Sequence, residues 1–410
     1  MSVSIITPTF QSAEFIPMML GSCVSSQGVP ITNIVCDNLS TDGLIDTLFS
    51  TSVKNKIIWS SQPDNGPAQA INRGFELAET DIIGWINSDD YYAEGAIDRA
   101  WNLFQDNPEL MVVYGLAQHI NLFGDDLGIY PTLPPHTSIE KFRDGNFVCQ
   151  PTIFFRKELL AQVGLLDTSL KTAFDFDWII RIFRGIPANQ IGFIDQIQAY
   201  SRLHNQCLTK KYREIVTRES VQVIARYFEN VPIHWLKTYY QELSLTFPFA
   251  QNDRSLKDQI LDFSQELKPF LTAQDYDDWK QALSVDLRLK AEKQGVHITM
   301  EPDGWVLGSA FIRLKKSAGS SKKLSLVCTG DWPMDAQLNF TVRSYDGIVQ
   351  RLTISSQDDF IFEFDLPSSD VDYHATWVVA CDQTFIPAII NKNSADIRKL
   401  SFKILDIQLN

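Results

Sequence analysis

No run of about 18 consecutive apolar residues occurs in the chain, so no membrane-spanning helix is expected. Positive charge is in deficit: 36 Lys and Arg face 50 Asp and Glu, a formal net charge of −14. That balance excludes nucleic-acid binding through a broad basic surface. It leaves room for a phosphorylated ligand wherever a cation neutralises the site locally. Paired cysteines are missing as well. Cys23, Cys36, Cys149, Cys207, Cys328 and Cys381 are scattered and never reach C-x-x-C spacing. This argues against a zinc site or a disulfide framework and fits a reducing cytoplasm. Residues 1–6 have no basic segment ahead of an apolar one, so they read as a first strand and not as a signal peptide.

What is present is an ordinary globular composition, 44% hydrophobic and 21% charged over 410 residues, enough for two or three domains. Residues 1–210 alternate short apolar runs (3–8, 31–36, 56–60, 82–87) with helical patterns (14–25, 66–78). The alternation predicts an α/β domain, a Rossmann-like and mainly parallel sheet with helices on its faces. Such sheets present ligands at the carboxyl ends of their strands. Residues 211–292 all but lose glycine and carry apolar side chains at helical spacing over 216–228, 256–267 and 275–289, predicting a helical linker or bundle. From 293 to 410 the period becomes two, as in Leu324, Leu326 and Cys328, or Phe360, Phe362 and Phe364, predicting an antiparallel β-sandwich. Leu400, Phe402 and Ile404 keep that period. It then slips to Leu405, Ile407 and Leu409, the mark of a β-bulge. Residues 317–323 read as a loop.

The strongest local signal is Trp85-Ile86-Asn87-Ser88-Asp89-Asp90, an apolar strand running straight into two carboxylates. Acidic side chains at a strand end can hold a hard divalent cation, Mn or Mg, that bridges diphosphate oxygens and neutralises a departing nucleotide. They also suit a plain acidic turn or a helix N-cap. Other polar segments follow the predicted strands: Thr7-Pro8-Thr9-Phe10, Asp37-Asn38-Leu39-Ser40-Thr41-Asp42, and Asp64-Asn65-Gly66-Pro67 leading into Ala70-Ile71-Asn72-Arg73-Gly74. Each lies where a parallel sheet offers its ligand edge.

In that order the segments resemble the family 2 glycosyltransferases of the GT-A fold, over residues 1–210. The resemblance implies an inverting hexosyltransferase that moves a sugar from a nucleotide-diphosphate donor, a UDP-sugar by family habit, to a glycan acceptor in cell-surface polysaccharide synthesis. By it, Thr7, Pro8 and Thr9 line the base and ribose pocket. Asp37 hydrogen-bonds the base, or else forms an Asx-turn before Ser40. Asn72 and Arg73 contact the donor, Arg73 through its planar fork, or else Arg73 is a surface arginine. Asp89 matches the second aspartate of the family's metal motif and is the expected ligand, with Asn87, Ser88 and Asp90 in support. Asn87 stands where the family has an acid, and without a charge it would hold a metal less tightly.

The segment from Ala173 to Arg181 resembles the stretch that carries the general base. Asp175 falls on that base, which takes the acceptor's hydroxyl proton as the new bond forms. Phe174 replaces an acidic neighbour, and with Phe176 it would raise the pKa of Asp175 by desolvation. Asp177 is the rival base, or it orients the helix by pairing with Arg181. Gln150 touches the transferred sugar or lies on a plain buried strand. Tyr200-Ser201-Arg202-Leu203-His204 resembles the end of the family's catalytic domain, with Arg202 displaced by one. His204 ligates the cation, meets the diphosphate, or is structural. Trp178 stacks on an acceptor sugar or fills the core.

In the C-terminal part, Trp305, Trp332, Trp377 and Phe385 serve carbohydrate stacking or the ordinary core of a sandwich. The sandwich loosely resembles modules appended to sugar-transfer enzymes, and a glycan, a partner subunit or a second copy of the chain would be its contact. The Q-x-x-R-W motif of processive synthases is absent, so single-sugar addition is expected on the cytoplasmic side, free or peripheral to the inner face of the membrane. The alternative is a catalytically weak carbohydrate-binding or scaffolding protein on the same fold, suggested by Asn87 and Phe174 in place of acids. A nucleotidyltransferase would call for a Gly-rich loop after the first strand, which is absent.

Overall fold

The computed structural model describes residues 1–51, 55–204, 207–246, 256–286, 288–289, 296–298, 300, 304–316, 323–329, 337–344, 349–355, 359–365, 373–383, 400 and 402–409. The chain divides into two compact units, Met1–Pro232 and Ile233–Asn410.

The first unit begins with alternating strands and helices: β1 (Val3–Thr9), α1 (Ile16–Ser22), β2 (Ile31–Asp37), α2 (Leu44–Ser50), β3 (Lys56–Ser61), α3 (Pro67–Leu77) and β4 (Ile82–Trp85). β1 pairs in parallel with β2 on one side and β4 on the other, and β2 pairs in parallel with β3. β1 and β4 are buried along their whole length, which is why they read as unbroken apolar runs. Gly74 lets α3 settle on β1. A Cβ there would stand 2.4 Å from Cγ2 of Ile6, so only glycine allows the approach.

Beyond β4 the sheet becomes mixed. β5 (Tyr91–Tyr92), α4 (Ala96–Asp106), β6 (Val112–Ile120), β7 (Asp126–Ile129), β8 (Phe154–Arg156), α5 (Leu159–Val163), α6 (Phe174–Gly185) and β9 (Ile191–Arg202) follow. The nine strands lie in the order β3-β2-β1-β4-β8-β6-β9-β5, with β7 on β6. β8 is antiparallel to both β4 and β6, and β9 is parallel to β6. Two antiparallel steps restore the original direction, so β1, β2, β3, β4, β6 and β9 all open their carboxyl ends on one edge. The short helix α7 (Leu208–Lys211) and the longer α8 (Arg213–Tyr227) complete the described part of this unit.

The second unit opens with α9 (His234–Thr246), α10 (Leu256–Leu267) and α11 (Ala273–Val285). Its strands are β10 (Val296–Ile298), β11 (Trp305–Val306), β12 (Ser309–Lys316), β13 (Lys323–Thr329), β14 (Gln337–Ser344), β15 (Val349–Ser355), β16 (Asp359–Asp365), β17 (Tyr373–Cys381) and β18 (Phe402–Leu409). They form two antiparallel sheets, β10-β12-β17-β14-β15 and β11-β18-β13-β16. Both contribute to one core, with Ile312, Phe340 and Val379 from the first sheet and Leu326, Phe362 and Phe402 from the second. The bulge lies where the phase slips. Cys328 pairs with Ile404 but Val327 pairs with Asp406, so Leu405 is the extra residue and turns outward. Trp305 and Trp377 are buried in the core. Trp332, Phe385 and residues 317–322 lie outside the described residues. Among the described residues no helix is long and apolar enough to cross a membrane.

Candidate active site at the strand ends

The loops that follow β1 and β2 are laced to one another. Gln11 donates its amide N–H to Ser40 Oγ at 2.9 Å, its side-chain nitrogen bonds Thr41 Oγ1 at 3.0 Å, and its side-chain oxygen accepts from the Thr41 amide at 3.2 Å. Ala13 N–H donates to Asp42 at 2.8 Å. Gln11 (φ 49°) and Leu39 (φ 56°) both hold the left-handed backbone conformation, which non-glycine residues keep only where the surroundings enforce it. Thr7 and Pro8 are buried at the end of β1. Thr9 Oγ1 and Ser12 Oγ lie 2.6 Å apart, and Ser12 donates to Ser88 Oγ at 2.9 Å. One hydroxyl chain therefore ties the first loop to the acidic turn after β4.

Asp37 ends β2 with its carboxylate almost wholly buried. It accepts from the Ser40 amide at 3.1 Å, from Ser40 Oγ at 2.6 Å and from Ser61 Oγ at 2.5 Å. The Asx-turn is therefore formed, and Asp37 braces three segments of the pocket. Arg73 donates to the carbonyls of Asp37 at 3.2 Å and Ser60 at 3.4 Å, and stands 3.8 Å from Asp64. It lies under the β2 and β3 strand ends and is largely covered. Asp64 has its carboxyl pKa raised, chiefly by burial. Asn72 points elsewhere: both ends of its amide are engaged by the backbone of Leu166, at 2.9 and 3.0 Å.

After β4, Asn87 donates to Asp90 Oδ2 at 3.3 Å, and the Arg202 amide donates to Asp90 Oδ1 at 2.8 Å. Asp90 is buried, and burial followed by the charge of Asp89 pushes its pKa well up. Asp89 is the accessible member of the pair. Its Oδ2 lies 2.9 Å from Nε2 of His204, at the end of β9. Arg202 fastens this corner by donating to the carbonyls of Asp89 (2.9 Å), Asn121 (3.1 Å) and Leu122 (2.7 Å). Among the described residues no three His, Cys, Asp or Glu side chains converge as a metal cage. Asp89 and His204 offer an oxygen and a nitrogen donor, a set that fits a cation shared with ligand oxygens.

Asp175 sits in the first turn of α6, and its carboxylate accepts the Phe176 N–H at 2.7 Å. Burial pushes its pKa up to about 6 against those amide contacts. The buried Cys149 thiol is held protonated first by burial and then by the charges of both Asp90 and Asp175.

Residues 4–164 match the sequence model of glycosyl transferase family 2. This stretch belongs to that family. Relatives of the family 2 domain include an uncharacterised glycosyltransferase of Rickettsia typhi, 25% identical over 221 residues, covering 50% of this chain and 64% of the relative. A second, from Haemophilus influenzae, is 22% identical over 243 residues and covers 58% of this chain and 79% of the relative. A third, from Rickettsia conorii, is matched over only 35% of its length, so the chain spans about a third to two thirds of its Rickettsia relatives. Among solved structures, TarS 1-349 of S. aureus in complex with UDP superposes with a TM-score of 0.44 at 18% identity, covering 72% of this chain and 92% of that one. Glucosyl-3-phosphoglycerate synthase of Mycobacterium tuberculosis, solved with Mn2+, UDP-glucose and phosphoglyceric acid, gives 0.40 at 13% identity, covering 55% and 79%.

Two side chains of α6 take the plainer of the roles their sequence offers. Trp178 is fully buried against Phe75, Trp85 and Phe155 and donates to the Gly164 carbonyl at 3.1 Å. It is core and offers no face to a sugar. Asp177 is buried between Arg181 (2.8 Å) and the Tyr227 hydroxyl (2.8 Å), which makes it a tie between helices. Gln150 lies on no strand: it begins a short 3-10 turn, Gln150–Thr152, where it is buried and donates to the Trp85 carbonyl at 2.7 Å.

Motif reading found Arg181 only as the partner of Asp177 and missed the other residues that hold the loop between α5 and α6. Arg181 donates to the carbonyls of Val163 and of Leu165, the latter at 2.9 Å. Arg226 on α8 bonds Asp167 at 2.7 Å. Glu219, also on α8, accepts four hydrogen bonds from residues 171–173. Their common target is mostly backbone, which leaves no signature in sequence. The one available hint was the 3.6-residue spacing that placed a helix over 216–228.

Proposed function

We propose that the chain is an inverting glycosyltransferase that passes a hexosyl group from a nucleotide-diphosphate sugar to a glycan hydroxyl at the carboxyl edge of the large sheet. The observations that carry this reading are the Asp89–His204 couple at 2.9 Å and a carboxyl, Asp175, with its pKa pushed up to about 6. The charges of Asp175 and of Asp90, the neighbour of Asp89, both reach the Cys149 thiol. A divalent cation, Mn or Mg, would be held by Asp89 and His204 together with diphosphate oxygens, and it would supply charge neutralisation to the leaving nucleotide. Thr7, Pro8, Thr9 and the Asp37 turn shape the nucleoside pocket, and a uracil base rests on the family resemblance. Ser88, Asn87 and Asp90 fix the turn that presents Asp89, while Arg73 holds the pocket's floor beneath the β2 and β3 ends and Asn72 holds the loop between α5 and α6 at Leu166. Asp175 is ionised at neutral pH and yet sits close enough to its transition to accept a proton, which is what a general base needs. Residues 1–210 carry these groups. The helical and sandwich regions that follow are assigned to acceptor or subunit contacts, and the setting is the cytoplasmic side.

The test is a panel of nucleotide sugars with and without Mn2+ or Mg2+, reading free nucleotide diphosphate. Metal-dependent release from one donor, lost in Asp89→Ala, is the expected result. No release from any donor, together with no thermal shift from any nucleotide, overturns the reading in favour of a glycan-binding scaffold on the same fold.

A further inference from the structure

The base of the proposed reaction stands at the start of a helix that has no cap of its own. Ala173, at the N-cap of α6, offers no side-chain hydrogen bond to the first turn. The first amides of a helix, from its N-cap on, are donors without internal partners. The N-cap amide of Ala173 and the two amides before it, of Lys171 and Thr172, converge on one distant carboxylate. Glu219 accepts from Lys171 N–H on Oε1 at 2.8 Å, and on Oε2 from Thr172 N–H at 2.8 Å, Thr172 Oγ1 at 2.7 Å and Ala173 N–H at 3.1 Å. Glu219 is buried, with a relative exposure of 8%. A buried carboxylate is tolerated only when its oxygens are satisfied, and this loop satisfies them.

Bonds to an ionised acceptor are short and stronger than neutral ones, and negative charge beside a helix N-terminus is favourable. The rest of α8 works in the same direction. Arg226 fixes Asp167 and Tyr227 fixes Asp177, so the helix grips the loop and the first turn of α6 together. Asp175 lies two residues beyond the last amide held by Glu219.

We infer that Glu219 is a positioning residue for Asp175: its carboxylate caps α6 from α8 through residues 171–173 and so sets where the base meets the acceptor hydroxyl. This rests on the transferase reading. It predicts an effect on turnover without one on donor binding, because the nucleoside pocket is built from the loops after β1, β2 and β4.

Glu219→Gln keeps the side chain's size, removes its charge and turns an amide nitrogen toward N–H donors. Thr172→Val removes one of the four bonds and leaves the carboxylate in place. The measurements are turnover per folded molecule, donor Kd by calorimetry, and hydrogen exchange of the 171–173 amides. The expected result for Glu219→Gln is a kcat about ten- to a hundredfold lower, the scale of a small misplacement of a reacting group, with donor Kd within about twofold and faster exchange at 171–173. Thr172→Val should lower kcat a few-fold in the same pattern. Wild-type kcat in both variants, despite faster exchange, overturns the inference. If Glu219→Gln does not fold, an unchanged kcat in Thr172→Val overturns it alone. A wild-type protein that turns over no donor sinks the transfer reading and this inference with it. Active wild type with unaffected variants sinks this inference only.

Discussion

On the proposed donor side of the site, motif residues and their immediate neighbours in the chain hold one another. Gln11 locks Ser40 and Thr41, Thr9 reaches Ser88 through Ser12, and Asp37 takes Ser40 and Ser61. On the proposed acceptor side, residues 163–173 are held from outside their own stretch: by Asn72 on α3, by Arg181 on α6, and by Glu219 and Arg226 on α8. A pocket built motif to motif announces itself in sequence. A loop held by its backbone does not, because amides and carbonyls are the same at every position.

The sharpest way to separate the two sides is Asp175→Asn. Transfer should fall by about 10²–10⁴-fold, the contribution of a general base, with donor Kd unchanged by calorimetry. A large loss of donor affinity would break the comparison. The wild-type rate should rise with pH and level off above about 6, where Asp175 is ionised, falling about tenfold per pH unit below it. The stability effect has the opposite sign to that of a salt-bridged aspartate. The folded protein holds the Asp175 proton more tightly than the unfolded chain, so ionisation lowers stability as pH rises from about 4 to about 6. Asp175→Asn should consequently melt no lower than wild type at pH 7.5.

Asn72→Ala comes next. It lies on the helix after the donor loops but leaves both polar groups of Leu166 unmatched in a buried place, costing about 1–3 kcal/mol for each. A lower melting temperature with reduced kcat and an intact donor Kd would place it on the acceptor side; a raised donor Kd would return it to the donor side. Gln11→Ala should do the reverse, weakening donor binding about fivefold for about 1 kcal/mol of lost lacing, with kcat at saturating donor preserved. The smallest effect belongs to Leu405→Ser in the sandwich. Its side chain projects outward from the bulge, and the stability should stay within about 0.5 kcal/mol by denaturant titration.

The α/β character of the first unit was legible because β1, β2 and β4 are buried and apolar and end in polar motifs. The sandwich was legible from its period of two. Even the bulge was visible, since Ile404 and Ile407 both face the core across an extra residue. The turn to a mixed sheet was not. β5 has two residues and β8 three, too few to show a period. Within the site, residue types were readable and their aims were not. Asn72 has the chemistry of a donor contact, but a buried loop uses both ends of its amide. Trp178 has the chemistry of a sugar platform, but Phe75, Trp85 and Phe155 enclose it. Asp89 and His204 are 115 residues apart in sequence, and only the return of β9 brings them together.

The grip of α8 on the α5–α6 loop has a practical consequence for anyone trimming the protein. The strand pattern ends near residue 202 and the family match at 164, and either point invites a cut. A piece stopped at 210 would still carry every motif residue. It would also leave the Asp177 carboxylate without Tyr227 and Arg226, and the 171–173 amides without Glu219. Such a fragment is expected to bind donor nucleotide while transferring poorly. The smallest piece to test for catalysis therefore runs through α8 to Pro232, where the first compact unit closes.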